Sequence, residues 1–135
     1  MSGKYPNTFY RVSLKAIIRN KNNEILVVKE KGSQWSLPGG GMDHGEDVHE
    51  ALKRELYEEV LIDSTFHETL VDSATMYLER KEMWLLWLVF KVEIENLAYG
   101  VGEDADEVAF VNPEIFKDSP YLSEQLVYKF AKLYR

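Results

Sequence analysis

Three glutamates, Glu55, Glu58 and Glu59, lie near the end of the segment Trp35 to Ile62, which reads WSLPGGGMDHGEDVHEALKRELYEEVLI. On a helix, spacings of three and four residues bring side chains to one side, and three carboxylates gathered there repel one another unless a cation joins them. An ionised carboxylate turned toward a packed face is also costly unless it is paired or binds a metal. Hard oxygen donors of this kind favour magnesium over zinc. The competing reading is a solvated glutamate cluster paired with Lys53 and Arg54.

The helix that must carry these groups has a clear start. Asp47 is a good N-cap, and Glu50 three residues later completes an acidic capping box, so the helix is expected to begin near Asp47. Advancing by about 100° per residue from Val48, the side chains of Ala51, Leu52, Leu56 and Val60 fall on one broad arc, with Glu50, Lys53 and Tyr57 opposite. Glu55 and Glu59 project within about 20° of Val48, inside the apolar arc, and Glu58 lies just beyond its edge. Ahead of the helix, the turn Pro38-Gly39-Gly40-Gly41 allows close backbone approach to a ligand, and its carbonyls are the kind that ligate hard cations.

The run resembles the signature of the Nudix hydrolases, G-x5-E-x7-R-E-U-x-E-E-x-G-U with U aliphatic. Gly40 begins it, followed by Glu46, Arg54, Glu55, Leu56, Glu58, Glu59 and Ile62, so eight of its nine specified positions match. Trp35, Leu37, Pro38 and Gly39 resemble the usual approach to that segment. The departure is Leu61, which stands where the family has its second glycine. A left-handed backbone is expected there, at a cost of roughly 1–2 kcal/mol for a residue with a β-carbon. Either the helix ends differently or Leu61 is strained.

The resemblance implies an α/β protein, the Nudix α/β/α sandwich with a mixed sheet between helices. It also implies a metal-dependent hydrolase that cleaves a diphosphate linkage. On this reading Glu55, Glu58 and Glu59 are catalytic and, with the Gly39 carbonyl, hold magnesium or manganese. Gly40, Glu46 and Arg54 are structural, Glu46 and Arg54 bracing loop and helix through an ion pair. The general base is Glu55 or an acid outside the segment, Glu103 or Glu107. The expected substrate is a nucleoside diphosphate derivative such as ADP-ribose, because an acidic loop around Glu103 to Glu107 discourages the extra charge of a free triphosphate. Three alternatives remain open: cleavage of nucleoside triphosphates in the MutT manner, a non-catalytic nucleotide-binding module, for which Leu61 is the main support, and an acidic structural domain.

Composition sets the outer bounds. The 135 residues, 45% hydrophobic, suit one domain spanning 1–135. The absence of cysteine excludes disulfides, thiolate zinc sites and cysteine nucleophiles, and fits a reducing cytoplasm. The opening MSGKYPNTFY lacks the regions of a signal peptide, and the longest apolar run, Met83 to Phe90, is too short to span a membrane. A soluble cytoplasmic protein is expected. A net charge of −7 without a basic cluster argues against a nucleic-acid partner, leaving a small anionic nucleotide and allowing a homodimer. His44, His49 and His67 lack metal-site spacing and read as surface residues.

Around the glutamate helix the chain reads as strands. Phe9 to Arg19 and Glu24 to Glu30 are expected to form one hairpin across Asn20 to Asn23, and Thr65 to Leu78 and Met83 to Ile94 a second. Alternation in the latter places Trp84 and Trp87 on opposite faces, so at most one faces a ligand. A loop over Asn96 to Asp106 leads to a strand, Glu107 to Val111. Ser119-Pro120 suits the start of a final helix with a stripe of Leu122, Leu126, Phe130 and Leu133.

Overall fold

A computed structural model describes residues 9–135 of the chain. The reading of the N-terminal stretch as free of a signal peptide falls, for residues 1–8, outside the described residues. The elements, in order, are β1 (Tyr10–Ile17), β2 (Ile25–Glu30), β3 (Trp35–Ser36), β4 (Gly39–Gly41), α1 (Val48–Val60), β5 (Phe66–Leu78), β6 (Met83–Ile94), β7 (Ala105–Val111) and α2 (Leu122–Leu133). Short 3-10 segments occupy Glu79–Lys81 and Pro113–Phe116.

The strands form two sheets, one of four strands in the order β4-β1-β6-β5 and one of three in the order β3-β2-β7. The first is mixed, because β1 runs parallel to β6 and antiparallel to β4. One apolar cluster joins Leu14, Ala16, Leu26 and Val28 to Leu52, Leu56 and Val60 of α1. A second joins Ile17, Ile25, Val27 and Trp87 to Leu126, Val127 and Phe130 of α2. Successive strand residues thus serve opposite faces, and the helices cover both sides, as the α/β sandwich requires.

The first expected hairpin does not form. Asn20 and Asn23 do make a tight turn, with Asn23 left-handed at φ 62° and the Asn20 side chain accepting from the N–H groups of Asn22 and Glu24. Beyond the Arg19–Ile25 bridge, β1 and β2 part into different sheets. Both edges of each strand are taken, those of β1 by β4 and β6 and those of β2 by β3 and β7. The near-continuous apolar runs Leu14 to Ile18 and Ile25 to Val28 are the signature of strands buried on both faces.

The second hairpin forms as expected, with β5 antiparallel to β6. Trp87 is buried in the core on the α2 side, whereas Trp84, on the other face, is 44% exposed between Tyr10 and Tyr77. The final helix starts later than expected: its N-cap is Tyr121, and the Ser119 hydroxyl instead accepts from the Tyr121 N–H and donates to Glu124. Its buried stripe is Leu126, Val127, Phe130 and Ala131, with Leu122 and Leu133 exposed at the ends.

Candidate active site

The glycine turn of the sequence is β4, an edge strand hydrogen-bonded to β1 with Lys15 opposite Gly39 and Leu14 opposite Gly40. Gly39 has φ 131°, and a β-carbon there would stand 1.8 Å from the Leu14 carbonyl oxygen, so no other residue fits. At Gly40 a β-carbon would stand 2.5 Å from a Glu55 carboxylate oxygen, so a larger residue would push that side chain aside. The turn therefore brings bare backbone against α1.

Helix α1 begins as anticipated, with Asp47 as N-cap accepting from the Glu50 N–H at 2.9 Å. At its far end Leu61 is left-handed, φ 54° and ψ 29°, the conformation expected of the missing glycine. The helix thus ends where the motif has it end, and Leu61 carries the strain. The last carbonyls are satisfied from the 95–104 loop, Gly100 N–H donating to Val60 at 2.9 Å and Gly102 N–H to Glu59 at 3.0 Å.

Arg54 ties the start of α1 to the glycine turn. Its guanidinium donates to both Glu46 oxygens at 2.8 Å, to the Gly41 carbonyl at 3.0 Å, to Glu55 at 2.9 Å and to Glu58 at 3.2 Å. The Glu46–Arg54 brace is as anticipated. The forked pairing with Arg54, helped by the Asp43 N–H, holds the Glu46 carboxyl down at about 2. Glu55 is pushed upward by burial, against the pull of Arg54.

Glu59 turns the other way. It is 2% exposed, and one oxygen accepts from the Gly39 N–H at 2.7 Å. Burial raises its carboxyl to about 8, although the Lys15 charge and the Gly39 hydrogen bond oppose the shift and the adjacent Glu30 adds to it. Lys15, 5% exposed, donates to the Leu37 and Gly39 carbonyls at 3.3 Å each and lies 3.8 Å from Glu30. Its ammonium stands 5.0 Å over the Trp87 ring.

These groups open onto one cleft of about 680 Å³, lined by Gly39, Gly40, Gly41, Glu55, Glu59, Lys15, Glu30 and Trp87, with Arg11, Arg80, Lys81 and Asp104 also in its wall. Glu58 does not line it. Nor do Glu103 and Glu107; Glu107 pairs with Lys29 at 3.6 Å on the outer surface. The acids that reach the cleft from outside the glutamate helix are Glu30 and Asp104. The histidines take no part: His49 pairs with Glu68 at 2.5 Å and stacks on Phe66, while His44 and His67 are exposed.

The three helix glutamates do not converge as their spacing suggested. Among the described residues no three acidic or histidine side chains stand together as a cation site, because Arg54 gathers Glu55 and Glu58 while Glu59 lies against the glycine turn. The chain's own cations take up the charge. The donor set, carboxylates beside backbone carbonyls with no sulfur or imidazole, nevertheless fits a hard divalent ion.

Lys15, Glu30, Asp104 and Arg11 were missed in the sequence. The one available signal was Lys15 itself, a charge set within the apolar run Leu14 to Ile18 of a strand buried on both faces. Glu30 and Asp104 are brought in by strand pairing and loop path, which no local pattern encodes.

Known proteins resemble this chain in sequence and in fold. The family model described as NUDIX domain matches residues 9–131. "Nudix hydrolase 2" of Arabidopsis thaliana is 37% identical over 70 residues, 47% of this chain and 25% of that protein. "Nucleoside triphosphatase NudI" of Escherichia coli O139:H28 is 29% identical over 89 residues, 60% of this chain and 63% of that one. The chain thus spans a quarter to under two thirds of the length of these curated relatives. A crystal structure of the MutT protein from Methanosarcina mazei Go1 superimposes with a TM-score of 0.78 at 20% identity, covering 96% of this chain and 97% of that one, and so shares its fold. No described helix is long and apolar enough to cross a membrane.

Proposed function

Because the chain belongs to the NUDIX domain family, we propose that it hydrolyses the diphosphate linkage of a small nucleotide with the help of a divalent cation, magnesium or manganese. The observation that carries this reading is the single cleft in which Glu55, Glu59 and the bare Gly39–Gly41 backbone meet Arg11, Arg80 and Lys81. Acids that suit a metal thus share one cavity with cations that suit phosphate.

Glu55, Glu58, Glu59 and the Gly39 carbonyl are the groups that would hold the metal, which when bound polarises phosphoryl oxygens and lowers the pKa of water. The protein's own residues supply the rest. Arg11, Arg80 and Lys81 attract the phosphates, and the absence of side chains along β4 lets the substrate reach the backbone. Glu55, raised by burial yet held by Arg54, is placed in the cleft wall to accept a proton from the attacking water. Arg54 and Glu46 keep α1 and the turn in register.

The choice of substrate is reopened by where the acids lie. The preference for a conjugate such as ADP-ribose rested on the acidic loop around Glu103 to Glu107, and of its acids only Asp104 lines the cleft. Arg11, Arg80 and Lys81, in the wall besides Lys15, favour a third phosphate, so nucleoside triphosphates stand as the second reading. The relative named nucleoside triphosphatase supports that reading too. Hydrolysis of a nucleotide panel in heavy-oxygen water, with products resolved by mass spectrometry, tests both. Release of a nucleoside monophosphate from either class supports the hydrolase, and preference between classes assigns the substrate. Binding of nucleotides without any cleavage would replace the enzyme by a binding module.

A further inference from the structure

Among the described residues Lys15 is the one buried lysine or arginine. Alternation along β1 sends Val12, Leu14 and Ala16 to the α1 cluster and Ser13, Lys15 and Ile17 to the opposite face. The ammonium there has its hydrogen bonds to the Leu37 and Gly39 carbonyls, the face of Trp87 and the nearby Glu30 carboxylate. A lysine at a centre of a sheet between β4 and β6 is expensive unless its charge is used. The Gly39 carbonyl that it holds belongs to the same residue whose N–H binds Glu59.

We propose that Lys15 is a built-in cation that occupies one of the positive positions of the cleft, holding the Gly39 carbonyl and balancing Glu30 and Glu59, so that the protein takes one divalent ion fewer than its carboxylates and carbonyls could accept. Lys15 is thereby a positioning residue: it fixes the glycine turn against α1 whether or not a metal is present. This rests on the metal-site reading above. The two fail differently, because a wild type that binds no metal removes that reading, whereas a metal count that ignores Lys15 removes only this one.

The test is a count of bound Mn2+ by electron paramagnetic resonance on the wild type, Lys15→Gln and Lys15→Met, with melting curves in chelator and in Mg2+. Glutamine keeps a donor for the carbonyls without the charge, and methionine removes both. Both variants are expected to bind one additional Mn2+ per chain. Both are expected to melt roughly 5 °C lower in chelator and to recover most of that loss in Mg2+, where the wild type gains less. An unchanged Mn2+ count, or a loss of stability that Mg2+ does not restore, would overturn the proposal. If neither variant folds under any condition, nitrogen-15 spectra of the wild-type ammonium decide: Lys15 must remain protected from solvent exchange at saturating Mg2+, and its release would also overturn it.

Discussion

Two cations organise the cleft, and they do so in opposite ways. Arg54 stands at a half-exposed rim and spreads its fork over Glu46, Glu55, Glu58 and the Gly41 carbonyl. Lys15 lies inside, a single point of charge between two carbonyls and an aromatic ring. The guanidinium matches carboxylates geometrically, so it lowers Glu46 and steadies the helix. The ammonium does not rescue Glu59, whose carboxyl is raised to about 8 by burial. One region is thus neutralised by the protein itself, and the other is left short of positive charge. That difference is where a metal has most to gain.

The largest effect expected from breaking this arrangement is on turnover. Glu58→Gln and Glu59→Gln each remove a charged oxygen ligand from the proposed site and should lower kcat/KM by at least about 10-fold, since even outer-shell partners of a metal are worth about 10- to 100-fold. Circular dichroism should find both variants folded. Undiminished turnover in both would show that the helix glutamates are bystanders.

The Arg54 side of the comparison is a matter of stability. Arg54→Met leaves several carboxylates without their shared partner and should cost about 2 kcal/mol in urea denaturation, since hydrogen bonds to charged groups are individually worth that order. Arg54→Lys should recover little of it, because an ammonium cannot replace a two-pronged pairing. Full recovery with lysine would mean that charge alone matters there.

The two regions should also titrate in opposite directions. Glu46 is held at about 2 against an ordinary 4.5, so it stabilises the fold above pH 4.5, and that contribution disappears as the pH falls toward 2. Glu59 is raised to about 8, so between pH 4.5 and 8 the folded state binds a proton that the unfolded state does not, and stability falls as the pH rises through that window. Metal-free protein is therefore expected to be most stable near pH 4.5 to 5 as far as these two groups decide it. Glu59→Gln should flatten the alkaline side, a change of several kcal/mol at pH 8. Glu46→Gln should flatten the acid side instead. Melting temperatures that follow pH identically in both variants would erase the distinction between the regions.

The smallest effect is expected at Leu61. Glycine relieves a left-handed leucine of about 1–2 kcal/mol but returns up to about 1 kcal/mol of freedom to the unfolded chain. With its side chain 43% exposed, Leu61 has little packing to lose, so Leu61→Gly should gain roughly 0.5 kcal/mol net. A marked loss would mean that Leu61 secures the loop at Gly100, its near neighbour.

The contrast also explains what could be read from the sequence. Of the Arg54 node, the Glu46 brace was legible through the resemblance of one short turn-and-helix segment to the family signature, whereas the pairing with Glu55 and Glu58 was only the competing reading. Also legible were the α1 N-cap and the second hairpin, while the left-handed Leu61 is one of the two outcomes the sequence left open. The Lys15 node joins β1, β2 and α1 across two sheets, and its partners follow from strand pairing. The failed first hairpin has the same origin: a good turn joins β1 and β2, yet each strand has better-matched neighbours from distant segments. Spacing put the helix glutamates on a common side, but it cannot foresee that Arg54 claims two of them and the glycine turn the third.

The central claim is that the α1 glutamates and the glycine turn make a metal-dependent centre for splitting diphosphates. Phosphorus NMR of the wild-type protein with a nucleotide substrate, first in chelator and then after addition of Mg2+, tests it most directly. The expected result is silence in chelator and steady appearance of nucleoside monophosphate once Mg2+ is present. Equal hydrolysis in chelator, or none with any nucleotide in Mg2+ or Mn2+, would contradict it.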